Sequence, residues 1–178
     1  MLSFTNRFFQ SVLLLGVLAA AACSCSKDDA DAADPNGDGD GTLTWTHNGT
    51  TYTSKAYSSA IVDSDTSLLI TGSSADMKNA VSLRLKKIYK LGATTYDLKK
   101  GSVLNNYPVG GITLNSATQF ITLYGPSASN GSIVVTQYDR AAQKVAGTFS
   151  FTGGPVPNSG STGTQSVTNG SFSFTRFR

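Results

Sequence analysis

Apolar and polar residues alternate with a period of two in segment after segment of residues 42–178, a rhythm that residues 1–41 do not share. "TLTWTHNGTTYTS" sets Leu43, Trp45 and His47 on one face and threonines on the other. Asn48-Gly49 then supplies the two positive φ angles of a type I′ turn, and Tyr52 stands on the returning strand, which predicts a hairpin. "AYSSAIVDSDTSLLITG" predicts a second, turning over Asp63 to Thr66. In "AVSLRLKK", Val81, Leu83 and Leu85 point one way and Ser82, Arg84 and Lys86 the other, the pattern of a half-buried antiparallel strand. "TTYDL", "GGITL" and "QFITLYG" follow between Gly, Asn and Pro punctuation, and "SIVVTQYDRAAQKVAGTFSF" turns at Asp139 to Gln143. No window longer than two turns holds apolar residues at helical spacing. The expectation is one all-β domain over residues 42–178, an antiparallel β-sandwich of about nine or ten strands, with an open β-barrel as the alternative.

A short echo marks the last third of the chain. "AGTFSFTG" and "NGSFSFTRF" each place a glycine ahead of a Phe-Ser-Phe-Thr strand, with Phe149 and Phe151, and Phe172 and Phe174, sharing a face. Each ring, if fully buried, stabilises the fold by about 2–3 kcal/mol. The stretch between them, "GGPVPNSGSTGTQS", has no periodicity and is expected to be an exposed loop.

The amino terminus is of another kind. After the single cation Arg7, Val12 to Ala22 is apolar throughout and ends in small residues. A core of roughly eleven residues has the length of a secretory signal and is too short to span a bilayer. Its small residues run directly into "CSCSKDD", which resembles a bacterial lipobox. Cys25 is the favoured lipidation site, with residues 1–24 as leader; Cys23, with residues 1–22 as leader, is the alternative. A lysine and two acids after Cys25 resemble the export signal of Bacteroidota-type surface lipoproteins. The expected location is the outer membrane, lipid-anchored and surface-exposed, or alternatively periplasm-facing. Metal or redox use of the C-x-C pair finds no support, since the chain offers one histidine, no further cysteine and no glutamate.

Residues 25–41 hold the lipidated cysteine and an acidic, Gly- and Pro-punctuated segment expected to be a flexible tether. Arg7 belongs to the leader and the tether sets Lys27 against six aspartates, so a chain of net charge +3 contains a domain of +7 over residues 42–178. Asp34, Asn36, Asp38 and Gly39 match the opening half of a calcium loop, but Trp45 stands where the closing glutamate belongs, so no metal site is expected there.

The order "NGTTYT", "ATTYDL", "GSIVVTQYD", "VAGTFSFTG" and "VTNGSFSF" behind a lipoprotein signal resembles a family of Bacteroidota lipoproteins that has no assigned reaction. The resemblance implies a small β domain tethered to the outer membrane, and it carries over no catalytic residue.

Acid–base chemistry needs clustered titratable groups, and the domain supplies His47, Asp63, Asp65, Asp76, Asp97 and Asp139, each read as sitting at or beside a turn. His47 is expected to be solvated. No serine sits in a G-x-S-x-G elbow. A hydrolase pairing Asp63 with Asp139 is the least favoured function. Binding is favoured over catalysis: Arg84, Lys86, Lys87 and Lys90, followed by Lys99 and Lys100, form a candidate patch for lipopolysaccharide or acidic glycans. Its plain counterpart is the wet face of a strand guarding a sheet edge. Trp45, Tyr57, Tyr107 and Tyr124 are candidates for stacking on sugar rings, against the commoner use of strand aromatics as core. The expected function is thus a non-catalytic binding or scaffolding module at the cell surface, with glycan or lipopolysaccharide capture as its alternative. A surface glycan or a protein is the expected partner; no cofactor and no nucleic acid is implied.

Overall fold

Asn48 and Gly49 take φ angles of 48° and 77°, and this turn folds strand β1 (Gly41–His47) onto β2 (Thr50–Ser54) as the sequence predicts. The computed structural model describes residues 40–63 and 66–178. Cys23, Cys25, the half-motif of Asp34, Asn36 and Asp38, and Asp65 therefore lie outside the described residues. Nine further strands follow: β3 (Ser58–Asp63), β4 (Ser67–Ser73), β5 (Ala80–Leu85), β6 (Thr95–Lys99), β7 (Val109–Leu114), β8 (Thr118–Ile121), β9 (Ser129–Asp139), β10 (Lys144–Pro155) and β11 (Gln165–Phe174). One helical turn, α1 (Ile88–Leu91), joins β5 to β6. Eleven strands thus stand against an expectation of nine or ten.

All pairings are antiparallel, in the order β2-β1-β11-β10-β8-β7-β5-β4-β3. Strand β10 is the branch point. Over Lys144 to Phe151 it pairs with β9, which in turn carries β6; beyond that, Gly154 and Pro155 switch to β8. Gly153, Gly154 and Pro155, expected in the exposed loop, are therefore strand, and the loop begins after them. The two halves joined at β10 face each other and nearly close. Ser58 Oγ donates to Gly41 O at 2.6 Å, Ser73 N donates to Ser54 Oγ at 3.1 Å, and Arg178 N–H donates to Ala60 O at 3.0 Å. Val62 N–H donates back to Arg178 O, so the carboxyl-terminal residue caps the free edge of β3. The all-β antiparallel expectation holds, and the arrangement satisfies a sandwich and an open barrel equally.

The interior is set by the two Phe-x-Phe strands. Phe149 on β10 lies opposite Gly170 on β11, and Phe172 on β11 lies opposite Gly147 on β10. A Cβ on Gly170 would stand 2.5 Å from Phe149 Cε2, and one on Gly147 would stand 2.7 Å from Phe172 Cζ. The sequence echo is therefore a reciprocal fit, in which each copy's glycine makes room for the other copy's ring. The rings of Phe149 and Phe172 meet at 6.4 Å with a 33° tilt, and Phe149 stacks on Phe151 at 6.2 Å. Between Gly170 and Val167 strand β11 carries one residue more than β10, and Asn169 turns through φ 50° to absorb the bulge. Leu43, Trp45, Leu68, Ile70, Leu83, Leu85, Ile112 and Ile133 complete a core drawn entirely from residues 43–177. Residues 40–178 therefore contain every described strand and the whole described core.

The opposite face of β1, β2, β10 and β11 is clad in threonine and serine. These four strands contain one residue with a formal charge, Lys144. Hydroxyls there bond one another across strands, as Thr44 Oγ1 does with Ser171 Oγ at 2.6 Å and Thr152 Oγ1 with Ser166 Oγ at 2.9 Å.

Candidate functional site

Chain topology gathers most of the cations at one end of the domain. Arg84 lies near the end of β5 and Lys86 just after it, Lys87 precedes α1 and Lys90 lies within it, Arg140 follows β9, Lys144 opens β10, and Arg176 and Arg178 belong to the carboxyl-terminal tail. Aromatic contacts hold these segments together. Tyr89 of α1 lies 6.4 Å from Tyr138 of β9, Tyr138 lies 6.0 Å from Phe177 of the tail, and the Arg140 guanidinium sits 4.1 Å above the Tyr89 ring. Such a cation on an aromatic face is worth about 0.5–2 kcal/mol depending on its solvation. Eight of the domain's twelve cations thus meet Asp40, Asp63 and Asp139 as the described carboxylates of this end. Lys87 takes φ 60° at the start of α1, where the chain leaves β5.

Burial tunes the tyrosines behind the basic surface. The Tyr138 hydroxyl is raised above its ordinary range first by burial and then by neighbouring Tyr89, with Arg140 opposing. Tyr96, 2 % exposed, donates its hydroxyl to Gly92 O at 2.7 Å, and burial, with a smaller contribution from Tyr138, pushes its pKa up to about 12.

This end is also where the chain enters β1. Asp40 precedes β1, its carbonyl accepts from Thr175 N at 3.0 Å, and its carboxylate lies 3.3 Å from Arg178 Nη2.

The structure redistributes the residues singled out in the sequence. Trp45 is fully buried, stacked on Tyr52 at 5.3 Å with an 18° interplanar angle, and its Nε1 has no protein hydrogen-bond partner. It is a core residue with no face left for a sugar. His47 is 6 % exposed and its Nε2 lies 2.8 Å from Gln165 Oε1, so the expectation of a solvated histidine is corrected. Its place on the Leu43–Trp45 face outweighs its nearness to the turn. Tyr57 is 49 % exposed in the β2–β3 turn, Tyr107 is half-buried with Lys99 Nζ 5.9 Å from its ring centre, and Tyr124 is half-buried in a 3-10 turn. These aromatics stand on separate segments. Among the described grooves, two shallow ones of about 330 and 460 Å³ lie on the hydroxyl wall, lined by Thr148, Ser150, Asn169 and Ser171 among others and by none of the four aromatics.

Arg84 does not guard a sheet edge, because β5 lies between β4 and β7. Its side chain reaches across β4 to Asp63, with Nε 2.7 Å from Oδ2. The N–H is not aligned on that oxygen, so the contact is an ion pair and not a well-directed hydrogen bond. Lys99 and Lys100 are parted from Lys86, Lys87 and Lys90 by the length of β6, about 13 Å at 3.3 Å per residue. The single patch expected from the sequence is therefore two, and the larger gains Arg140, Lys144, Arg176 and Arg178, which sequence proximity could not reveal.

The carboxylates have local partners. Asp76 accepts from Ser74 Oγ at 2.6 Å and Lys78 N at 3.1 Å, bonds that hold its carboxyl below the usual range. Asp139 accepts from Ala142 N at 2.9 Å in a turn, as expected. Asp97 stands within β6, not at a turn, and accepts from Ser129 Oγ. Among the described residues no group of three His, Cys, Asp or Glu is placed to hold a metal ion, and no helix is long and apolar enough to cross a membrane.

Residues 40–175 match the family described as a domain of unknown function, DUF6252. The chain belongs to the DUF6252 family. No curated protein and no solved structure gives a significant match. The DUF6252 region spans all eleven strands and stops at Thr175, so the basic tail residues Arg176 and Arg178 lie just beyond it.

Proposed function

We propose that this DUF6252 chain is a lipid-anchored, non-catalytic binding module of the outer membrane or cell surface, held by a diacylated Cys25, or by Cys23 in the alternative register. The observation that carries the binding role is the convergence of eight cations on the end of the domain where the chain enters β1. A surface of one sign concentrates counter-charged partners and accelerates their encounter. The anchor is supported by the lipobox and the following Lys27-Asp28-Asp29. A non-catalytic role is supported by the use of the described carboxylates, each engaged by a neighbouring hydroxyl, backbone N–H or arginine.

Mass spectrometry of the amino-terminal peptide, taken from membranes of a host that processes lipoproteins, tests the anchor. A diacylglyceryl group on Cys25 or Cys23 is the expected result; an unmodified cysteine with the leader retained would contradict it. A second reading, capture of a neutral glycan, is favoured by the hydroxyl-lined grooves over β9, β10 and β11. On a neutral-glycan array, binding lost on Ser150→Trp and insensitive to salt would support that reading.

A further inference from the structure

Neither of the two described grooves is lined by the cations at the basic end. Those cations stand on turns, one helical turn and a chain terminus, a form suited to meeting an extended charged surface. Lys87, Lys90, Arg140 and Lys144 are exposed, and they come from two segments that the Arg140–Tyr89 contact holds in fixed relation. Asp40 and Gly41, through which any amino-terminal anchor must act, sit beside Arg178 and Thr175 at the same end. An anchor acting through Gly41 keeps this end of the domain within reach of the lipid, and the cations themselves set which face meets it.

We infer that the basic end docks onto the phosphate groups of anionic lipids in the leaflet that holds the anchor. This rests on the reading of the chain as a lipid-anchored module and names the surface on which its domain lies. The diacylated anchor is enough to hold the chain on the membrane, so the basic end decides how the domain lies on the leaflet and not whether it is attached. Each lysine or arginine near an anionic bilayer strengthens binding about fivefold. Asp40, the described acid of the segment before β1, pairs with Arg178 and leaves Lys87, Lys90, Arg140 and Lys144 exposed.

The test uses residues 40–178, which hold the whole described core, so that acylation does not contribute. The probes are phosphatidylcholine vesicles with and without about 30 % phosphatidylglycerol, read by co-sedimentation at low and at physiological salt. Binding to the anionic vesicles alone, weakened by salt, is expected. The triple variant Lys87→Glu, Lys90→Glu, Lys144→Glu should bind at least tenfold more weakly, a conservative figure against the about fivefold per charge above. Lys99→Glu with Lys100→Glu, at the other end of β6, should bind within about twofold of wild type at physiological salt, where charges beyond a Debye length of the surface contribute little. Thermal unfolding of each variant establishes that it is folded. Millimolar inorganic phosphate should compete only weakly; complete displacement would mean a discrete phosphate pocket and overturn docking on a surface. Equal binding to both vesicles, or equal losses from the two variants, would overturn the inference as well. If docking fails while the acylated peptide is found, the anchor stands and the orientation falls; if the peptide is unmodified, the functional reading itself falls.

Discussion

The hydroxyl wall of β1, β2, β10 and β11 and the basic end of the domain follow opposite rules. The wall is periodic: alternate residues enter the core as Phe, Leu and Trp, the rest face water as Thr and Ser, and Lys144 is the one formal charge in the four strands. The end is discontinuous, assembled from the last residues of β5, α1, the β9–β10 turn with the first residue of β10, and the tail, and it holds most of the domain's cations. Regularity on the wall fixes register and stability. Irregularity at the end frees its residues for a role other than packing.

Breaking the wall gives the largest expected effect. Phe149→Ala removes a buried ring from the reciprocal fit and should cost about 3–5 kcal/mol, read from the urea midpoint. Gly170→Ala, whose new methyl meets that ring, should cost about 1–3 kcal/mol by overpacking. In the Phe149→Ala background the same alanine has room, so its cost should shrink by about 1 kcal/mol or more. Additive losses in this double-mutant cycle would mean that glycine and ring do not share space.

A smaller effect tests the packing behind the basic end. Tyr96 has a pKa of about 12 in the folded protein against an ordinary value of 10. Between these two values the unfolded chain ionises while the folded one keeps its proton, so this contribution is complete below pH 10 and is lost as pH rises toward 12. Melting temperatures measured from pH 9 to pH 12 should fall more gently for Tyr96→Phe than for wild type. Parallel curves would show that the hydroxyl is not held as described.

The smallest effect belongs to the half-exposed pair of Arg84 and Asp63. Asp63→Asn should cost no more than about 1 kcal/mol, and salt should narrow the difference from wild type. A loss several times larger that ignores salt would mean that the pair is a structural lock.

What could be read from the residues follows the same division. The Asn48-Gly49 turn, the alternation in β5 and the two Phe-x-Phe strands are local patterns, and each is where the sequence puts it. The reciprocity of glycine and ring was hidden, because an echo reads as repetition until the copies pair antiparallel with each glycine opposite a phenylalanine. His47 was misplaced because two local cues disagreed, turn proximity against strand parity, and parity won. Trp45 and Arg84 needed sheet order, which decides whether a face is inner and whether a strand is an edge. The basic end was the least legible. Its cations lie between residues 84 and 178, and only the pairing of β9 with β10 and the return of the tail to β3 bring them together.

The most direct test of that end's role is its depth on a bilayer. A fluorophore is placed at Lys87→Cys or, at the opposite end, Lys78→Cys, in the acylated chain on anionic vesicles carrying a headgroup quencher. Strong quenching at position 87 and little at 78 is the predicted result. Equal quenching, or the reverse order, would contradict a domain that lies with its basic end on the lipid.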